Sequence, residues 1–196
     1  MARGVRRDEA GNRAQGHRGP APDAVPGRTQ VRRPRRLSAL HVPVVNERGE
    51  RLVRIEVVDR SADATARADI DFSLVIATRD ACVLLVRNRR RSVWELPGGF
   101  VDAGESAMQS AARELKEETG QASTHLRLLA LLELDVTGRD DENNAALKRG
   151  ALYHAELVEH APFEPTPEIE AIGFWPTANL PAGTSAIDAA LLARFA

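Results

Sequence analysis

From about residue 40 onward, the apolar positions fall into short runs with two different periods. HVPVVNERGERLVRIEVVD holds two β-branched runs on either side of residues 46–49, the pattern of a hairpin or turn. DIDFSLVIAT and ACVLLVRN follow as strand-like runs, with Arg79 and Asp80 as the turn between them. LRLLALLELDV and GALYHAELVEH read as two further strands joined by the polar connection TGRDDENNAALKR, and IEAIGFW reads as a last one. Two segments change period. One follows RRRSVWELPGGFVDAGE, and the other, SAIDAALLARF, sets Ala186, Ile187, Ala190, Leu191 and Phe195 at helical spacing. No stretch repeats. Strands and helices mixed in this order predict an α/β fold, a mixed sheet sandwiched between helices.

The first helical segment has readable ends. Ser106 with Gln109 three residues later makes a capping box, so Ser106 is the expected N-cap. Gly120 suits the left-handed position that stops a helix. Between them Met108, Ala111, Ala112, Leu115 and Thr119 cluster on one side as the expected core face. Glu114, Glu117 and Glu118 form a second stripe, roughly 130° away by the helical period.

Charge divides the chain unevenly. The net charge is -1, yet residues 1–36 carry ten Arg against Asp8, Glu9 and Asp23, a net of +7, which leaves -8 for the remainder. That leader is rich in Arg, Gly, Pro and Ala and poor in large apolar residues, too little to offset the entropy of ordering. Residues 1–38 are therefore expected to be a disordered basic leader, and residues 39–196 a single domain. Contact with nucleic acid, if any, is confined to the leader. No apolar run forms a secretory signal or is long enough to span a membrane. The lone Cys82, in the apolar run ACVLLV, excludes an internal disulfide and reads as a buried structural thiol. A soluble, cytoplasmic protein is expected.

Three glutamates on one turn call for a reason. Like charges at i,i+3 and i,i+4 cost roughly 0.2–0.5 kcal/mol per pair. Anions in the last turn oppose the helix dipole by roughly 0.3–1 kcal/mol. A solvated surface tolerates such costs, so energetics only tilts the reading. A hard divalent cation would remove the repulsion, because Mg²⁺ and Mn²⁺ prefer oxygen ligands. Pro97-Gly98-Gly99, immediately upstream, offers the small-residue backbone that an ion or a phosphate group could approach closely.

With that loop in place the segment resembles the Nudix hydrolases, whose box reads G-x5-E-x7-R-E-U-x-E-E-x-G-U, with U bulky and apolar. Gly99, Glu105, Arg113, Glu114, Leu115, Glu117, Glu118 and Gly120 match, eight of the nine specified positions. The departure is Gln121, where the family carries an apolar residue that packs the helix exit. The resemblance covers about residues 66–194 and implies a Nudix-type α/β/α sandwich. It also implies metal-dependent hydrolysis of a nucleoside diphosphate linked to another moiety, with water attacking a phosphorus.

Carried over by position, Glu114, Glu117 and Glu118 are the implied catalytic residues and ligands of Mg²⁺ or Mn²⁺, and the carbonyl of Gly98 is a further ligand. Glu105 and Arg113 would support them as an ion pair. Arg87, leaving the second core strand, and Arg89 beside it are the implied substrate contacts. Some relatives recruit a later acid as base; here Asp140, Asp141, Glu142 and Glu168 are the candidates, each read first as a solvated surface acid. Trp94 reads as core rather than as a base-stacking residue, and His41, His125, His154 and His160 receive no role. ADP-ribose is disfavoured because LELDVTG lacks the proline that such enzymes tend to carry beyond the box. The implied partner is a small-molecule nucleotide, with no membrane and with dimerisation as in many relatives. The alternative is a catalytically silent nucleotide-sensing module; such modules commonly lose box glutamates, and this chain keeps them all.

Overall fold

The structure, a computed structural model, describes residues 42–58, 69–137, 147–159 and 161–196. The basic leader, His41, His160 and the three acids Asp140, Asp141 and Glu142 lie outside the described residues. In chain order the elements are β1 (Val44–Val45), β2 (Arg51–Val57), β3 (Phe72–Arg79), β4 (Cys82–Asn88), β5 (Val93–Glu95), β6 (Gly98–Phe100), α1 (Ala107–Thr119), β7 (Leu126–Asp135), β8 (Leu147–Glu156), β9 (Ile169–Pro176) and α2 (Ala186–Phe195). Among the described residues no helix is long and apolar enough to cross a membrane.

The strands join in the order β1-β2-β7-β8-β3-β4-β5, with β6 added to β3 and β9 to β4. Among the described strands only β3 and β8 pair in parallel; the other strand pairings are antiparallel, so the sheet is mixed as expected. Side chains alternate across it with period two. Val83 and Leu85 of β4 point to the face covered by Ile187, Leu191 and Leu192 of α2. Leu84 points to the other face, with Ala111 and Leu115 of α1. Because both faces are covered, the central strands are apolar throughout, and the fold is the α/β/α sandwich.

The expected elements stand, with corrections in detail. The β3–β4 turn lies one residue later, at Asp80 and Ala81, both with positive φ (50° and 61°), which matches the right-handed twist of a two-residue hairpin. Cys82 begins β4 at that turn and is only half-buried. β5 and β6 are three residues each, too short to show a period, and were hidden in what reads as loop.

Helix α1 has the capping box at Ser106 and Gln109, and Gly120 follows it at φ 71°. Its core face is rotated from the expected one. Met108 and Ala112 are exposed, while Ser110 is buried with Ala111, Leu115 and Thr119. The buried hydroxyl is satisfied: Ser73 Oγ donates to it at 3.0 Å, and it donates to the Phe100 carbonyl at 3.3 Å. In α2, Ala186 is exposed and the buried positions are Ile187, Asp188, Leu191 and Leu192.

Candidate active site

β6 is wedged between β3 and α1, and its glycines make room for that. Gly98 pairs with Leu74 and Gly99 with Ser73. A Cβ on Gly98 would sit 2.2 Å from the Ser73 carbonyl oxygen. A Cβ on Gly99 would sit 2.3 Å from Glu114 Oε1, so the helix carboxylate lies directly against this backbone.

The three glutamates of α1 do not share one environment. Glu117 is exposed, whereas the side chain of Glu114 is 14% exposed. Glu118 is turned inward, where its Oε2 accepts the Gly98 N–H at 2.9 Å. Arg113 ties the others together. It donates to both oxygens of Glu105 (3.0 and 2.9 Å), to Glu114 (2.7 Å), to Glu117 (3.2 Å) and to the Phe100 carbonyl (3.0 Å). That network holds the Glu105 carboxyl below its ordinary range and the guanidinium far above its own.

Desolvation dominates deeper in. Burial pushes Glu118 up to about 8, and the charges of Glu114, Glu95 and Glu168 add to the rise. Glu114 is also raised, by burial first and then by Glu117 and Glu168, against the pull of Arg113. Among the described residues Glu118 has no ion-pair partner, and no three acidic, His or Cys side chains already close on one point that could hold an ion.

Glu168 is not a remote surface acid. It sits one residue before β9, exposed towards the same cleft, and its charge reaches both Glu114 and Glu118. Buried Asn88, at the end of β4, donates from Nδ2 to its carboxylate at 3.4 Å. Asn88 Oδ1 accepts the N–H groups of Arg90 and Arg91, both at 3.1 Å. Nothing within ACVLLVRN or PEIEAIGFW alone signals this approach, because 50 residues of chain separate Glu118 from Glu168.

The two arginines singled out from the sequence lie elsewhere. Arg87 bonds Glu170 of β9 at 2.5 Å and lies 5.7 Å over the Trp94 ring, and Trp94 packs edge-on against Trp175. Arg89 donates its backbone N–H to the Glu168 carbonyl at 2.8 Å and its guanidinium to the Thr166 carbonyl at 3.4 Å. Neither lines the cleft beside the carboxylates.

That cleft, about 250 Å³, runs from Gly98, Gly99 and Glu168 to the start of α2. Phe72, Phe100, Leu134, Val136 and Ile187 give it an apolar lining. Phe100 is 57% exposed there and is the cross-strand partner of Phe72. Polar groups stand along its wall: the Arg91–Glu95 ion pair, Lys148, and Asp188, whose carboxyl burial pushes up to about 7.

The family model for the NUDIX domain matches residues 68–195. An RNA pyrophosphohydrolase of Ruthia magnifica subsp. Calyptogena magnifica is 39% identical over 57 residues, 29% of this chain and 32% of that protein. The chain thus aligns with about a third of the length of the first curated relatives it matches. Among solved structures, a MutT NUDIX hydrolase from Burkholderia pseudomallei has a TM-score of 0.54 at 24% identity, covering 66% of this chain and all of that one. The Bacillus subtilis pyrophosphohydrolase BsRppH has a TM-score of 0.57 at 19% identity, covering 76% of this chain and 89% of the other. At these identities the two structures speak for the fold.

Proposed function

The chain belongs to the NUDIX-domain family, and we propose on that premise that it hydrolyses a nucleoside diphosphate linked to another moiety. The observation that carries this reading is the buried carboxyl of Glu118 against Gly98, without an ion-pair partner among the described residues and within reach of the charges of Glu114 and Glu168, at the edge of an apolar cleft. Such a cluster of oxygens raises the pKa of its own members, which is the environment a hard divalent cation stabilises. Mg²⁺ or Mn²⁺ fits the donor set: Glu114, Glu117, Glu118 and the Gly98 carbonyl. When bound, the ion would neutralise phosphate charge and acidify a water molecule.

The residues of this chain divide the remaining work. Arg113 and Glu105 hold the carboxylates in register by a bidentate pair, which fixes orientation as well as charge. Glu114 and Glu117, both held by Arg113, would be the two of these carboxylates that could turn part of their bonding to the ion. Glu168, held by Asn88 and outside the Arg113 network, is the carboxylate available to take a proton from the attacking water. The pyrophosphate lies along Gly98 and Gly99, and the attached moiety occupies the cleft beside Phe72 and Phe100. Arg87 and Arg89 would reach only those parts of the substrate that extend past β9. The soluble character expected from the composition suits a nucleotide of the cytoplasm.

A screen of nucleoside triphosphates, dinucleoside polyphosphates and nucleotide sugars with Mg²⁺ or Mn²⁺, reading released phosphate products, tests the proposal. At least one phosphoanhydride should be cleaved. Glu117→Gln, at an exposed position, should cut turnover by about two orders of magnitude or more with an unchanged circular dichroism spectrum. No cleavage of any phosphoanhydride with metal in excess would refute the reading.

A further inference from the structure

Gln121 is the one box position that departs from the family pattern, and it is 1% exposed. A buried amide needs partners, and Gln121 has them in the Thr119 and Ala161 backbone. Its Nε2 donates to the Ala161 carbonyl at 2.8 Å and to the Thr119 carbonyl at 3.0 Å, and its Oε1 accepts the Ala161 N–H at 3.0 Å. The side chain therefore pairs with the Ala161 backbone as a strand neighbour would, through one donor and one acceptor. The next residue is seated by the helix exit as well: a Cβ on Gly120 would lie 2.8 Å from the Pro162 carbonyl oxygen.

Ala161 begins the segment APFEPTPE, residues 161–168, which ends at Glu168. Pro162, Pro165 and Pro167 fix φ at three of its eight positions, so it behaves as a stiff connector rather than a slack loop. Its far end is also fastened. The Thr166 hydroxyl accepts the N–H groups of Glu168 and Ile169 at 3.3 and 2.9 Å, and Arg89 N–H donates to the Glu168 carbonyl. Asn88 then takes the carboxylate itself. A carboxylate exposed to the cleft is thus held near Glu114 and Glu118 by an arm anchored at both ends.

We propose that Gln121 is a positioning residue: its grip on Ala161 sets the near end of this proline arm and so fixes where Glu168 stands relative to the carboxylate cluster. The inference rests on the reading that Glu168, the proposed base, stands close enough to the bound ion for its charge to strengthen ion binding, as its charge already reaches Glu114 and Glu118. An apolar side chain at position 121 would fill the same space and leave Ala161 unpaired. The polar departure from the box is in this account a gain of a long-range tether.

The test is a double-mutant cycle read by Mn²⁺ binding alone, using electron paramagnetic resonance of free Mn²⁺ on the full chain. The four proteins are wild type, Gln121→Met, Glu168→Gln and the double variant. Methionine keeps the length of glutamine and removes the amide. Glu168→Gln should weaken Mn²⁺ binding about tenfold or more, and Gln121→Met by about threefold to tenfold. The double variant should bind no more weakly than Glu168→Gln, because both changes act on the same carboxylate. Unchanged affinity in Gln121→Met, or losses that simply multiply, would overturn the inference, as would an Glu168→Gln variant that binds like wild type. Absence of Mn²⁺ binding by the wild type would instead sink the function proposed above. Hydrogen exchange on the wild type provides a second arm independent of any variant's folding. The Ala161 amide should be protected although no strand pairs with it, and exchange at free-loop rates would overturn the tether.

Discussion

Glu118→Gln should make the metal-free protein more stable at neutral pH while abolishing hydrolysis. The unfolded chain ionises this carboxyl near 4.5, whereas the folded protein keeps its proton until about 8. Between those values the unfolded state binds fewer protons, so stability is lost as pH rises and is fully present only below 4.5. At pH 7 the penalty relative to a neutral side chain is on the order of 3 kcal/mol, and above pH 8 it approaches about 5. Glutamine avoids it at little cost, since it fills the same volume and its oxygen can still accept the Gly98 N–H. Urea unfolding in EDTA at pH 5, 7 and 8.5 measures the difference, which should be under about 1 kcal/mol at pH 5 and widen with pH. Mg²⁺ or Mn²⁺ at 100 times its dissociation constant should then raise the wild type by about 2.7 kcal/mol and leave the variant unmoved. A variant equal to or less stable than the wild type at pH 7 in EDTA would refute the reasoning, as would a gap that does not grow with pH.

Two other substitutions separate the parts of the site. Gly99→Ala places a methyl group 2.3 Å from Glu114 Oε1, the mobile end of a side chain, so the carboxylate should swing away. Unfolding free energy should stay within about 1 kcal/mol, whereas turnover should fall about 100-fold, both measurable on one preparation. Phe100→Ala removes the exposed ring from the cleft lip. Loss of a stacking surface worth about 1–3 kcal/mol should raise KM for a cleaved nucleotide about tenfold. Hydrolysis of inorganic tripolyphosphate, which has no ring to stack, should not change in the same assay.

Much of the architecture was legible because it is written in local patterns. The continuous apolar runs of β3, β4, β7 and β8 and the capping box of α1 are decided by neighbours within a few positions. The rotation of the α1 core face was not legible, because Ser110 is buried by virtue of Ser73 and Phe100, residues in two other elements. In the candidate site, the glycines and the box glutamates are compact in sequence, and their proximity follows from β6 leading into α1. The approach of Glu168 depends instead on β9 lying against β4, a pairing between segments more than 80 residues apart. The arginines of RNRRR show the converse. Arg91 stands on the cleft wall, whereas β9 supplies Glu170 to Arg87 and the arm supplies Thr166 to Arg89, partners that no local pattern announces.

Arg113 offsets most of the repulsion along the glutamate stripe of α1. Without an ion, three carboxylates within five residues would repel one another, and the helix dipole would add to the strain. One guanidinium answers four acids at once, Asp102, Glu105, Glu114 and Glu117. It makes no ion pair with Glu118, which accepts the Gly98 N–H and retains its burial cost. Two kinds of carboxylate therefore coexist on one turn: a pair satisfied by a side-chain cation and exchangeable in its partners, and a single buried member with no cation of its own. The energetic demand for an incoming ion is concentrated at Glu118, where the arm from Gln121 also directs the fourth carboxylate, Glu168. A site assembled in this way stays folded before its ion arrives, because Arg113 already answers Glu114 and Glu117 while Glu118 can keep its proton, and it still presents one unsatisfied position for the ion to fill.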